Sequence, residues 1–272
     1  MATKRNHQFG MALKLFVVTG VALGVLLGAR RAAQAASFGF TTIDVPFSDA
    51  DNLTALGDIN SSGQIVGVYD TTSGASHAFL DDRGVFTIID FPGAVVTVPT
   101  RLTPGGQIII GFYIDSAGVN HGFLDDQGTF TTLDVPFSGA TGTQLIAINP
   151  SGDLVGVYFD SSGGTHGFLD SHSVFSTIDV PFRGATFAGI VNGIPVGGPN
   201  DINASGQIAG TYFDSGGVPH GFLDDHGLFS KVDVPFPGTT FTVLLANNPR
   251  GQLVGYYGDS SGQQQGFLAT PK

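Results

Sequence analysis

Four histidines recur at one spacing. His77, His121, His166 and His220 each open a His-(Ala/Gly)-Phe-Leu run, and Gln265 takes the fifth place. Five aspartates, Asp44, Asp90, Asp134, Asp179 and Asp233, each head an Asp-x-Pro triplet. Imidazoles and carboxylates are the groups of metal centres and of acid–base catalysis. Their arrangement argues against both. One His per repeat spreads the set around any symmetric fold, and the fifth is missing, so the simpler reading is a His bonded within its own repeat. Two catalytic carboxylates need different environments, whereas a repeat supplies identical ones. The recurring Asp is therefore expected to accept hydrogen bonds from backbone donors in the connection to the next repeat.

Asp70, Asp115, Asp160, Asp214 and Asp259 begin Ser- and Gly-rich turns. Such turns offer oxygen ligands to Ca²⁺. None has a dense Asp-x-Asp-x-Asp spacing, so plain turns are expected, with calcium the one cofactor left open. Tyr69, Tyr113, Tyr158, Tyr212 and Tyr257 each follow a glycine by two residues. Their expected role is packing between repeats. The functional alternative is that rings and nearby carboxylates hold sugars. The absence of Trp weakens that idea.

Three landmarks, the Asp-x-Pro triplet, the Gly-x-Tyr pair and the His run, step along the chain at 44 to 46 residues, with one step of 54. Repeats of this length with four strands each are the signature of a β-propeller blade. In the third unit the strand candidates are 144–149, 154–159, 166–170 and 174–180, separated by Asn/Asp/Ser/Gly turns. The expected fold is all-β: a five-bladed propeller of about 45-residue repeats. Residues 40–46 repeat the fourth-strand pattern before the first unit, and the fifth unit stops at its third strand. Strand 40–46 is therefore expected to complete the last blade and close the ring, removing a sheet edge.

The long step holds an apolar, Gly/Pro-rich insertion over 187–200. Long loops on rigid scaffolds carry function. Phe187, Ile190, Asn192, Asn200 and Asp201 are the binding candidates there, beside the five tyrosines, on the face that carries the second-to-third turns. An idle insertion is the plainer alternative.

The repeat resembles that of the bacterial extracellular HAF-repeat family. The resemblance rests on His77-Ala78-Phe79 and its His-Gly-Phe counterparts, and on Asp58-Ile59-Asn60-Ser61-Ser62-Gly63-Gln64-Ile65-Val66-Gly67. It extends over 40–268. It implies export and a propeller-like fold, and carries no chemistry to transfer. Arg101-Leu102-Thr103-Pro104 departs from the pattern.

Composition bounds the rest. The 272 residues contain no Cys, which excludes disulfides and thiolate metal sites. All 22 acidic residues are Asp, and Gly is 41, a poor composition for helices. Lys4, Arg5 and Lys14 precede an apolar run from Leu15 to Gly28 and an Ala33-Gln34-Ala35 site. This reads as a signal peptide over 1–35, with Met11 as a second possible start. An uncleaved anchor is the alternative. Residues 36–272 then form one propeller domain with six basic residues against 22 aspartates. Such a surface repels nucleic acid and anionic lipid. No Walker, dinucleotide, Gly-x-Ser-x-Gly or His-Glu-x-x-His motif is present.

The function expected is that of a secreted, extracellular or periplasmic monomer, non-enzymatic, binding a glycan or protein partner without nucleic acid or membrane. One alternative is a polysaccharide hydrolase or lyase, for which only the less regular Asp49, Asp51, Asp58, Asp153 and Asp201 are available. The other is a structural envelope or matrix protein.

Overall fold

The computed structural model describes residues 42–187, 190–191, 194–195 and 197–271; the expected signal peptide lies outside them. The first sheet is β1 (Ala50–Ile59), β2 (Gln64–Thr71), β3 (Ser76–Asp82) and β4 (Val85–Ile88). The second is β5 (Val96–Leu102), β6 (Ile108–Ile114), β7 (Asn120–Asp126) and β8 (Thr129–Leu133). The third is β9 (Ala140–Ile148), β10 (Leu154–Asp160), β11 (Thr165–Ser171) and β12 (Val174–Ile178). A two-stranded hairpin, β13 (Ile190–Val191) and β14 (Ile194–Pro195), follows in the insertion. The fourth sheet is β15 (Gly198–Ile202), β16 (Ile208–Phe213), β17 (Pro219–Asp225) and β18 (Leu228–Val232). The last is β19 (Thr239–Asn247), β20 (Leu253–Asp259) and β21 (Gln264–Ala269). Within each sheet, strands pair antiparallel in chain order. The fifth sheet has three strands, and residues 42–47 carry none; residues 40 and 41 lie outside the described residues.

The Gly-x-Tyr pair has a steric cause. Gly67, Gly111, Gly156, Gly210 and Gly255 face the first strand of their sheets at Leu56, Pro99, Leu145, Pro199 and Leu244. A Cβ on Gly156 would lie 2.1 Å from the Gln144 carbonyl oxygen and 2.8 Å from the Phe168 ring. The same collision recurs at Gly111 and Gly255 with the Val98 and Val243 carbonyls, at 2.1 and 2.0 Å. Beside each glycine the first strand is bulged: the ladder skips Gly57, Thr100, Ile146, Asn200 and Leu245. A bulge bends its strand and re-aims a side chain. Thr100 and Asn200 use this to donate to the next sheet, at Leu145 O (3.0 Å) and Leu244 O (2.7 Å).

Three of the four seams between sheets are made through a second glycine, in the His-Gly-Phe run, and the first has the buried Ala78 in that place. Gly122, Gly167 and Gly221 are buried floors on which the next sheet's first strand sets a side chain. A Cβ on Gly122 would lie 3.0 Å from Leu145 Cγ, one on Gly167 3.0 Å from Pro199 Cγ, and one on Gly221 3.2 Å from Leu244 Cβ. The Phe after each floor, Phe79, Phe123, Phe168 and Phe222, is wholly buried. Polar ties reinforce the seams. Asn60, Asn149 and Asn203 reach the Thr103, Asn203 and Asn248 carbonyls of the following sheet, at 3.3, 3.3 and 2.9 Å.

The third-to-fourth turns show where a residue type is unsuited to its place. Arg83–Gly84, Gln127–Gly128 and His226–Gly227 have positive φ at both positions, as two-residue primed hairpin turns require. In the third sheet the second position is Ser173, at φ 68°. A left-handed residue with a Cβ costs about 1–2 kcal/mol. Ser173→Gly should therefore stabilise the protein by about 0.5–1 kcal/mol in urea unfolding, and an unchanged or lower stability would show that the turn carries no such strain.

Candidate functional site

The linker between sheets is built around a stack. Phe91, Phe137, Phe182 and Phe236 of the incoming linkers pack on Tyr113, Tyr158, Tyr212 and Tyr257 of the sheets they enter, with ring centroids 3.8 to 5.6 Å apart. Phe47 does the same on Tyr69 at 5.2 Å. Beside each of the first four tyrosines lies the His of its own sheet, at 5.6, 5.0, 4.9 and 5.3 Å for His77, His121, His166 and His220. The tyrosine rings are thus taken up by packing. Tyr257, lacking a His neighbour, donates its hydroxyl to Gln265 at 2.9 Å.

Three of the four His stand between two carboxylates of their own repeat. His121 Nδ1 lies 2.8 Å from Asp134 and its Nε2 3.5 Å from Asp115. His220 lies 3.0 Å from Asp233 and 3.4 Å from Asp214. His166 bonds Asp160 at 2.9 Å, with Asp179 at 3.8 Å. His77 pairs with Asp90, whose other oxygen accepts from the Ala78 amide at 2.8 Å. Burial opposes the charge on His121, but the hydrogen bonds and charges of Asp134 and Asp115 outweigh it and hold the imidazole above its ordinary pKa.

The turn aspartates, expected as plain turns with calcium left open, are engaged by their own repeats. Asp115 accepts the Ala117 and Val119 amides, and Asp214 the Gly216 and Val218 amides, all at 2.8 to 2.9 Å. Asp160 and Asp259 hold Ser162 and Ser261 in the same way, and Asp70 accepts from Ser76 at 2.6 Å. The Val119 and Val218 amides are the main cause that lowers the Asp115 and Asp214 carboxyls, and the serine hydroxyls do so for Asp160 and Asp259. Among the described residues no three His, Cys, Asp or Glu side chains are grouped to hold a metal ion.

Between these stacks and the next sheet lie clefts, and they repeat. One of about 260 Å³ is lined by His166, Asp179, Val180, Ala185, Thr186 and Phe187. A second, about 180 Å³, has His121, Asp134, Val135, Ala140 and Thr141 in the same places. A third, about 270 Å³, has His220, Asp233, Val234, Thr239 and Thr240. Each joins the His–Asp pair of one sheet to an exposed threonine of the next, over an apolar valine. They open on the face of the linkers and second-to-third turns.

The sequence candidates fall differently. Phe187 lines one cleft but is itself buried against Phe222, at 5.8 Å. Asn200 is the bulge residue tied to Leu244. Asp201 accepts the Asn247 amide at 3.0 Å; burial raises its carboxyl pKa, opposed by that amide and by Arg101. Ile190 lies in the short β13, and Asn192 lies outside the described residues. Of the less regular aspartates, Asp58 accepts the Leu102 amide at 3.1 Å and Asp153 accepts from Ser171 and Asn149 at 2.7 and 2.8 Å. The cleft threonines were missed. Their signal was present as a Gly-(Ala/Thr)-Thr step in three linkers: Gly139 to Thr141, Gly184 to Thr186 and Gly238 to Thr240.

No family model matches the chain, and a search of the curated proteins finds no match either. Solved structures do resemble it. TolB of Acinetobacter baumannii superposes with a TM-score of 0.51 at 15% identity, over 82% of this chain and 55% of that one. A TolB-like protein of Agrobacterium tumefaciens gives 0.50 at 10% identity, over 78% and 80%. A puromycin-hydrolyzing peptidase of Mycobacterium tuberculosis gives 0.51 at 12%, over 77% and 34%. The chain thus spans about half of the first TolB and a third of the peptidase. At these identities the likeness is one of fold: an all-β architecture of four-stranded antiparallel sheets related to β-propellers.

The carboxylates around His121 set a pH dependence. A raised folded pKa contributes stability in full below the unfolded value, about 6.5, and loses it as pH rises through the folded value. His121→Gln, which copies the arrangement at Gln265, should therefore cost stability at pH 5.5 and much less at pH 9, read by denaturant unfolding at both. An equal cost at both would show that charge on His121 does not matter.

Proposed function

We propose that this is a secreted, non-enzymatic propeller scaffold of the HAF-repeat type that binds an extracellular glycan at several equivalent clefts. Residues 1–35 direct export to the periplasm or beyond, and residues 36–272 form five blades closed into a ring. The observation that supports the binding reading most is the threefold recurrence of one cleft with one lining. A catalytic centre is a single asymmetric constellation, whereas repeated small clefts suit a repeating ligand.

The cleft chemistry fits sugars. Each offers carboxylate oxygens and a threonine hydroxyl to ligand hydroxyls, beside an apolar wall, in a volume suited to one residue of a polymer rather than to a large cofactor. Each cleft alone would bind weakly. A polymer reaching two or three gains about 10²–10⁴ in avidity.

The test is a glycan array probed with the purified protein, with calcium and with chelator. Polysaccharide binding that survives chelation is expected, because the turn aspartates bind their own backbone. Thr141→Val, Thr186→Val and Thr240→Val should each weaken polymer binding about tenfold, and the triple variant should abolish it. Absence of glycan binding under both conditions would overturn the proposal and point to a protein partner.

A further inference from the structure

The four seams inside the array and its two end faces differ at a repeated set of positions. The residue before the Gly-x-Tyr glycine is wholly buried in Val66, Ile110, Val155 and Ala209, yet Val254 is 43% exposed. The side chain set on a glycine floor is buried in Leu145 and Leu244, yet Leu56 at the same position is 48% exposed. Leu102 and Ile202 are buried where Ile59 is 62% exposed. The floor glycines Gly122, Gly167 and Gly221 are buried, while Gly266 is exposed and a Cβ on it would meet nothing nearer than 3.8 Å.

These are the two halves of one seam. The fifth sheet presents an uncovered floor, Gly266, with Val254 and Leu268 around it. The first sheet presents the side chain that such a floor receives, Leu56, with Ile59 beside it. The linker that enters the first sheet is already seated, with Phe47 on Tyr69 as in the other four.

We infer that the first sheet of the chain docks on the fifth sheet of the same chain, with Leu56 on Gly266, making a fifth seam like the other four. The inference rests on the five-bladed reading and gives its closure a specific contact. Two faces on one chain meet at an effective concentration that a second copy cannot match at ordinary protein concentrations. The fifth seam also carries different chemistry. Gln265 stands where the other seams have His, beside Asp44 in the place of the linker Asp, so its cleft has no imidazole.

The test is Leu56→Cys with Gly266→Cys in a chain that has no other cysteine. Oxidation should give a monomer with both thiols consumed and a two-dalton mass loss, reversed by reductant. Disulfide-linked oligomers would overturn the inference in favour of a second copy on this face, and two free thiols in a folded protein would overturn it outright. Should the double variant fail to fold, Leu56→Ser serves instead: burial in a seam predicts a melting temperature lower by about 5 °C, and no change marks an open face. Glycan binding by the cross-linked protein is read separately. The three clefts lie in other seams, so a failed cross-link and a failed binding proposal are distinguishable.

Discussion

The structure depends on a backbone approach that only glycine permits. In every sheet a bulged first strand drives a carbonyl against the glycine of the second strand, and the ring of the third-strand Phe covers the same glycine from the other side. One strand further out a second small residue, Gly122, Gly167 or Gly221 and in the first sheet Ala78, leaves a floor for the next sheet's first strand. With this packing in place, the second and third sheets each hold a Phe, a Val or Ile and a Leu or Pro in burial, in a chain without Trp, Cys or Glu. Interiors of this density lose stability for even one added methylene. The seam therefore fixes the repeat length as well as the sheet-to-sheet geometry.

The groups most capable of chemistry are engaged in holding that geometry. The imidazoles of His121, His166 and His220 join a turn aspartate to a linker aspartate, and the first four tyrosines are held between His and Phe. What these groups leave is the space beside them. The clefts inherit carboxylates from the linker and a threonine from the next sheet, so the structural stack and the candidate binding surface share atoms. A binder of this kind gains its strength from number, and its sites repeat because the stack repeats.

Much of this was legible in the residues. The strand candidates of the third unit fall within or beside β9 to β12, because turn chemistry at Asn149-Pro150-Ser151-Gly152 and Asp160 to Gly164 marks their ends. The pairing of His with aspartate of its own repeat follows from the same period. Other features were hidden. The bulge at Thr100, Ile146 and Asn200 has no single residue type, since what defines it is a skipped rung of the ladder. Asn200 read as a ligand donor within an insertion, yet it donates to a neighbouring strand. Phe187 read as a binding residue of the long insertion, yet its ring is part of the core, where it lies over Gly167. The cleft threonines stand at one offset from the linker Asp, at Thr141, Thr186 and Thr240, but threonine is common at strand starts and marks no site by its type.

Equivalence of the seams is the claim on which fold and function both rest, and native-state hydrogen exchange measures it strand by strand. With all five seams formed, amides of β20 and β21 exchange within about tenfold of those in β6, β7, β10 and β11, because each opens only with its sheet. Exchange in β20 and β21 faster by about a hundredfold or more, with the inner sheets still protected, would contradict the account and leave the fifth sheet an open edge.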